Sequence, residues 1–156
     1  MIRVLFVCLG NICRSPMAEA VFRDLINKEK LQDMIEVDSA GTGNWHEGHM
    51  PHEGTRKILD QQKISYNGMK ARQVQKEDWD RFDYLIAMDT NNIKNLKSIH
   101  NKNDQVTIAK LLDFVEDTDT LDVPDPYFTG DFDYTYQLVS KGCKNLLMYI
   151  KDKHNI

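Results

Sequence analysis

Cys8 and Arg14 are separated by five residues in the run Cys8-Leu9-Gly10-Asn11-Ile12-Cys13-Arg14-Ser15-Pro16. Together these two side chains can do what neither does alone: attack an anionic electrophile through sulfur while holding its charge. The thiolate is the nucleophile, and thiols ionise more readily beside a helix N-terminus or a cation. A guanidinium grips two phosphoryl oxygens at once, which the point charge of lysine cannot do. The intervening amides can turn inward as a ring of donors, backed by the dipole of a following helix. Gly10 supplies a close backbone approach or a positive φ, and the Ser15 hydroxyl can bond the sulfur and stabilise its charge. The spacing by itself arises often by chance, and cysteine at the end of a buried strand is usually a small core residue. The flanking strand, the Ser-Pro pair and the helix that follows favour the anion cradle. An ATP-binding P-loop is excluded, since it needs two glycines and a lysine in the loop.

Sulfur attack on a phosphoryl group also needs a proton donor when the leaving oxygen is a poor leaving group. A phenol, with a pKa of about 10, is one. Asp125 stands out in Val123-Pro124-Asp125-Pro126-Tyr127-Phe128. Its two prolines fix the backbone, and Tyr127 and Phe128 suit the wall of a slot for a phenyl ring. The residues alone leave open whether Asp125 is this acid or an ordinary Pro-Asp-Pro turn. Asp117, Asp119 and Asp122 are taken as solvated loop acids. Trp45 is either a wall of an aromatic pocket or core packing. His46, His49 and His52 recur every three residues, but Gly48 and Pro51 break any helix and the zincin spacing is missing. We read them as exposed loop histidines and expect no metal. Glu116-Asp117-Thr118-Asp119 lacks the glycine and terminal Glu of a calcium loop. Asp89, at the end of a strand, falls near the site but is assigned no role.

These residues need elements to position them. Ile2–Val7 forms a short buried strand. Ser15 is expected to cap a helix with Pro16 in its first position; Met17, Ala20, Val21, Leu25 and Ile26 make its apolar face. Ile35–Asp38 is a second strand that ends in the turn-rich Ser39-Ala40-Gly41-Thr42-Gly43. A helix is expected over Glu53–Gln62, a strand over Tyr84–Met88, a helix over Asn91–Ile99 and a short strand over Val106–Ile108. Residues 116–130 read as an acidic loop, and Phe132–Lys151 as the last helix. Strands alternating with helices imply an α/β fold, a parallel sheet with helices on both faces. Ligands then bind at the carboxyl ends of the strands, where Cys8 falls.

The 156 residues fit one domain spanning 1–156. The net charge of −4 argues against a nucleic-acid partner. Three cysteines make a poor disulfide framework and point to a reducing, cytoplasmic compartment. No stretch is long enough to span a bilayer, and no signal-peptide core is visible, so no membrane association is expected.

With these residues in hand, the chain resembles the low-molecular-weight protein tyrosine phosphatases over essentially its whole length. Val7–Pro16 looks like that family's phosphate-binding loop, Asp38-Ser39-Ala40-Gly41-Thr42 and Asn44-Trp45-His46 like its second strand and Trp loop, and Asp125-Pro126-Tyr127 like its acid loop. The resemblance implies a three-layer fold around a four-stranded parallel sheet. Cys8 would attack phosphorus while Asp125 protonates the leaving phenol, and Asp125 would then activate the water that hydrolyses the cysteinyl phosphate. Arg14 and the amides of Leu9, Gly10, Asn11, Ile12, Cys13, Arg14 and Ser15 would hold the phosphoryl group. Asn11, Ser15 and Ser39 would support the loop, and Trp45 and Tyr127 would line the substrate pocket. Cys13 would form a reversible, protective disulfide with Cys8. The implied partners are phosphotyrosine-containing proteins or peptides, with inorganic phosphate as product and no cofactor or metal; the oligomeric state is not implied.

Two positions depart from the family pattern. Phe128 stands where many members have a second Tyr, so regulation by phosphorylation there is not carried over. Met69-Lys70 replaces the familiar His ahead of Ala71-Arg72-Gln73, a change expected at the site's rim. Three competing readings share the loop. Arsenate reductases of this fold use further mid-chain cysteines, whereas here Cys143 lies on the last helix. Protein-arginine phosphatases tend to carry Thr where Ile12 stands. A non-catalytic phosphopeptide-binding module would gain nothing from Asp125.

Overall fold

A computed structural model of the chain describes residues 1–99 and 103–156. Four strands, β1 (Ile2–Cys8), β2 (Ile35–Gly41), β3 (Tyr84–Ala87) and β4 (Thr107–Lys110), form one all-parallel sheet in the order β2-β1-β3-β4. The helices are α1 (Arg14–Lys28), α2 (Glu53–Gln61), α3 (Asp78–Arg81), α4 (Thr90–Ile99), α5 (Pro126–Thr129) and α6 (Phe132–His154), with a 3-10 turn at Leu111–Phe114.

The central strand explains the layers. Val4, Leu5, Phe6 and Val7 are all fully buried, because β1 is covered on both faces. Alternate side chains serve opposite cores. Val4 and Phe6 join Met17, Phe22, Leu146 and Ile150 on the α1, α2 and α6 side. Leu5 and Val7 join Trp79, Leu85 and Leu96 on the α3 and α4 side. This is the three-layer α/β architecture expected. The chain leaves β1 through α1 to reach β2 on one side, while β3 pairs on the other. The crevice at such a reversal lies beyond the strand carboxyl ends, and β1 ends there with Cys8.

Several expected boundaries move. Ser15 is not a helix cap: α1 begins at Arg14, with Cys13 at the cap position making no side-chain bond. The Ser15 hydroxyl is instead turned to Cys8 and Asn11. Pro16 sits in the first turn, where its missing N–H leaves no intrahelical bond unmade. β2 runs on to Gly41, since Ser39–Gly41 pair with Phe6–Cys8 rather than turning away. β4 covers Thr107–Lys110 rather than 106–108. The expected loop at 116–130 contains α5, which Asp125 caps by accepting from Tyr127 N and Gly130 ends at φ 76°. The one-turn α3 was not anticipated.

Candidate active site

The loop after β1 is held from below and from both sides. Thr42 N donates to Cys8 O and Gly43 N to Leu9 O, each at 2.9 Å, so the end of β2 grips the loop's first half. His52 N donates to Ile12 O at 2.7 Å, and Thr55 Oγ1 to Cys13 O at 3.0 Å, which fixes its second half to α2. The tight curl is made by Asn11 at φ 56° and not by Gly10. Asn tolerates this left-handed region because its side chain bonds locally; here it also bonds across the fold. Gly10 instead lies close under the His46 ring, whose Cδ2 would be 3.0 Å from a Cβ at that position.

The Cys8 sulfur is buried and faces two groups. Asn11 N donates to it at 3.3 Å, and Ser15 Oγ lies 3.0 Å away. Asn11 Nδ2 donates to Ser15 Oγ at 2.7 Å and to Ser39 Oγ at 3.0 Å, while its Oδ1 accepts from Arg72 N at 3.0 Å. These bonds join Asn11, Ser15 and Ser39 in one network beside the sulfur.

Arg14 is 2 % exposed, an unusual place for a guanidinium. Its Nη1 donates to Asp89 at 2.6 Å and to Val123 O at 2.9 Å, and its Nη2 to Asp125 at 3.2 Å. Among the described residues Nε has no partner, although it is buried. Burial pulls the guanidinium pKa down, but the charge at Cys8, the bond to Asp89 and the charges of Asp125 and Asp89 outweigh that and leave it raised. Asp89, placed near the site but given no role in the sequence, is therefore the second acid on Arg14. Its position directly after a buried strand, at the same sheet edge as Cys8, was the available signal. Its Oδ1 also accepts from Asn92 N at 2.8 Å, at the start of α4, which fixes its direction.

Cys8, Leu9, Gly10, Ile12 and Cys13 form the floor of a cleft of about 250 Å³ walled by Trp45, His46, Asp125, Tyr127 and Phe128. Trp45 is 67 % exposed and lines this cleft, so it is not core packing. His46 is half-buried at this wall and not a free loop residue; the Tyr127 ring lies 6.1 Å from it and 6.0 Å from His52. His52 caps α2 and stacks on Phe132. Among the described residues, no cluster of three or more His, Cys, Asp or Glu could hold a metal. Burial, then the charges of Cys8 and Asp125, push the Cys13 thiol up against the opposing pull of Arg14. Cys143 lies away from the cleft: its sulfur faces Ala18 O in the core, and burial pushes its thiol up as well. Met69 and Lys70, expected at the rim, instead line a separate groove beside Glu19 and Arg23.

The profile of the low molecular weight phosphotyrosine protein phosphatase family matches residues 3–155. The chain is 55% identical over 156 residues to the low molecular weight protein-tyrosine-phosphatase YfkJ of Bacillus subtilis, covering 100% of both chains. It is 47% identical to PtpA of Staphylococcus aureus, over 100% of this chain and 98% of that one. The crystal structure of Bacillus subtilis YfkJ superimposes with a TM-score of 0.95 at 56% identity, covering 98% of this chain and 96% of that one. The Drosophila arginine phosphatase DARP superimposes at 0.87 with 34% identity, covering 95% and 97%. Matched by the family profile over residues 3–155 and 55% identical over its whole length to a named member, the protein belongs to the low molecular weight phosphotyrosine protein phosphatase family.

Proposed function

We propose that Cys8, Arg14 and Asp125 carry out hydrolysis of phosphotyrosine in proteins or peptides, in the cleft walled by Trp45 and Tyr127. The activity is that of the family, a phosphomonoester hydrolase working through a cysteinyl phosphate. The observation that carries the residue assignment is the convergence on Arg14. Its Nη2 reaches Asp125, its unpartnered Nε is buried, and the Cys8 sulfur shares the cleft with Asp125. A phosphoryl group on the floor of the cleft gives Nε an acceptor and competes with Asp125 for Nη2, freeing that carboxyl oxygen for the leaving group.

In the first step sulfur attacks phosphorus, the P–O bond to the phenol breaks, and Asp125 delivers the proton that the phenolate oxygen takes up. In the second, Asp125 takes a proton from water as its oxygen attacks phosphorus, the S–P bond breaks, and inorganic phosphate leaves. The loop amides and Arg14 hold the charge of both transition states. No step calls for a metal or a cofactor. Trp45 and Tyr127, both largely exposed, offer flat faces to a phenyl ring.

The cytoplasm is the compartment that suits this chemistry, because all three cysteines are free and the nucleophile must stay reduced. Among the described residues, no helix is long and apolar enough to cross a membrane. Nucleic acid is an unsuitable partner for a chain of net charge −4. Residues 1–156 act together as one domain in this reading, since the nucleophile and the acid lie at opposite ends of the chain.

The test is metal-free hydrolysis of phosphotyrosine and phosphoarginine peptides by wild type and Cys8→Ser. Turnover of phosphotyrosine by wild type alone is expected. Preference for phosphoarginine would keep the mechanism and replace the substrate. No turnover of either would overturn the assignment.

A further inference from the structure

Behind the phosphate loop, a chain of hydrogen bonds runs from the Cys8 sulfur to a carboxylate on α1. Glu19 is 5 % exposed and lies outside the cleft. Its Oε1 accepts from Ser39 Oγ at 2.7 Å, and its Oε2 accepts from Arg23, one turn further along α1. The Arg23 guanidinium is steadied in turn by Val37 O at 3.2 Å. Beyond this pair lies the groove lined by Arg23, Asp38, Met69 and Lys70.

The direction of every bond in the chain can be worked out from its two ends. A carboxylate only accepts, so the Ser39 hydroxyl spends its hydrogen on Glu19 and must accept from Asn11 Nδ2. The other end is Arg72 N, which only donates; it fixes Asn11 Oδ1 as acceptor and so fixes which way the amide points. The two hydrogens on Asn11 Nδ2 then go to Ser39 and Ser15. Ser15 Oγ has accepted from Asn11, and its own hydrogen is left for the one remaining neighbour, the Cys8 sulfur at 3.0 Å. The sulfur therefore receives two donors, Ser15 O–H and Asn11 N–H. That is the pattern that stabilises a thiolate.

We infer that Glu19 is a positioning residue for the phosphatase reaction: held by Arg23, it sets the donor direction of the Ser39–Asn11–Ser15 chain and so aims the Ser15 hydrogen at the Cys8 sulfur. The inference rests on the reading of Cys8 as nucleophile. Glutamine at 19 has nearly the same shape but breaks the pattern. With Arg23 beside it, the amide oxygen turns to the guanidinium and the NH2 turns to Ser39. Ser39 then accepts from two groups and loses its acceptor, and the Asn11 amide loses its fixed partner.

The test follows Cys8 alkylation by iodoacetamide against pH, together with phosphotyrosine-peptide turnover, in wild type, Glu19→Gln and Ser39→Ala, with thermal melts to establish folding. Losing the aimed donor should slow alkylation at about pH 6 roughly tenfold, the scale of a hydrogen bond to a charged group. At about pH 10, where free thiols are ionised, the rate should be unchanged. Turnover should fall about tenfold through kcat, with KM moving less than about threefold. Ser39→Ala cuts the same chain without touching α1, so it decides the matter if Glu19→Gln fails to fold. An unchanged alkylation profile in a folded variant overturns the role of Glu19, as does an equal loss at both pH values, which would report altered access to the sulfur. Wild type that alkylates at Cys8 but turns over no phosphotyrosine would overturn the functional reading instead.

Discussion

Asp125 accepts from two donors placed on either side of it. Tyr127 N bonds Oδ1 at 3.1 Å as part of the α5 cap, and Arg14 bonds Oδ2 at 3.2 Å. The first bond fixes the carboxyl at the wall of the cleft, and in the proposed reaction a phosphoryl oxygen displaces the second. Asp125→Ala should therefore lower kcat by roughly 10²- to 10⁴-fold for phenyl phosphates, with a smaller loss for leaving groups that need no proton. A series of substituted aryl phosphates checks this; an equal loss across the series would remove the acid assignment. Cys13 presents a different balance. Burial keeps its thiol protonated, so it does not compete with Cys8 for substrate, yet both line the same floor. When peroxide converts Cys8 to a sulfenic acid, Cys13 can displace water from it to form a disulfide that a dithiol reduces. Recovery of activity after peroxide and dithiol should be poorer in Cys13→Ser, and equal recovery would end the protective role.

At the level of elements, the loop is shaped as much by what crowds it as by what bonds it. β2 ends at Gly41, in register with Cys8. A Cβ at Gly41 would lie 2.9 Å from Leu9 O and 3.1 Å from Asn11 N, both backbone atoms that cannot step aside cheaply. Gly41→Ala should push the loop out of shape and lower kcat/KM at least tenfold, while costing about 1–3 kcal/mol of stability; kinetics and denaturant melts separate the two effects. The strand-loop-helix order could be read from sequence because it is local: short apolar runs, a Ser-Pro pair, a cysteine and an arginine at fixed spacing. What escaped was non-local or competitive. Ser15 carried two readings, a helix cap and a partner of the sulfur, and only the second matches the position of its hydroxyl. Asp89 and Glu19 sit 75 positions from Arg14 and 20 from Ser39 respectively; the end of a buried strand placed Asp89 near the site without naming its partner, and Glu19 carried no such signal. α5 was hidden in an acidic stretch, although Asp125 before it, Pro126 at its first position and Gly130 after it were its signals.

For the molecule as a whole, the acid-bearing segment is tied down by charge. Lys110, at the end of β4, donates to Asp122 at 3.0 Å, and Thr90 bonds the same carboxyl at 3.1 Å. Burial works against charge on Asp122, but the bonds from Lys110 and Thr90 outweigh it and hold its pKa below the usual carboxylate range. A lowered folded value means that the tie's contribution is complete above the unfolded value of about 3.9 and disappears as pH falls through the folded one. Lys110→Met should thus melt slightly lower than wild type at neutral pH, by well under about 1 kcal/mol for so exposed a pair. The gap should close in strong acid, and melts across pH check this. By contrast Leu146, fully buried beneath the sheet, is remote from the cleft. Leu146→Ala should cost about 2–5 kcal/mol and leave KM unchanged in the folded fraction.

The middle position of β1 in the sheet also has a consequence in time. Synthesis delivers the strand that carries the sulfur first, its β2 neighbour some thirty residues later, and β3 only after about eighty. The carbonyl of Val123 and the carboxyl of Asp125, which hold the guanidinium, leave the ribosome later still. In the reaction proposed above, a nascent chain therefore carries the nucleophile long before the acid that would protonate the leaving oxygen. On that reading, a chain that ends before Asp125 holds the sulfur without the acid and does not complete the proposed cycle.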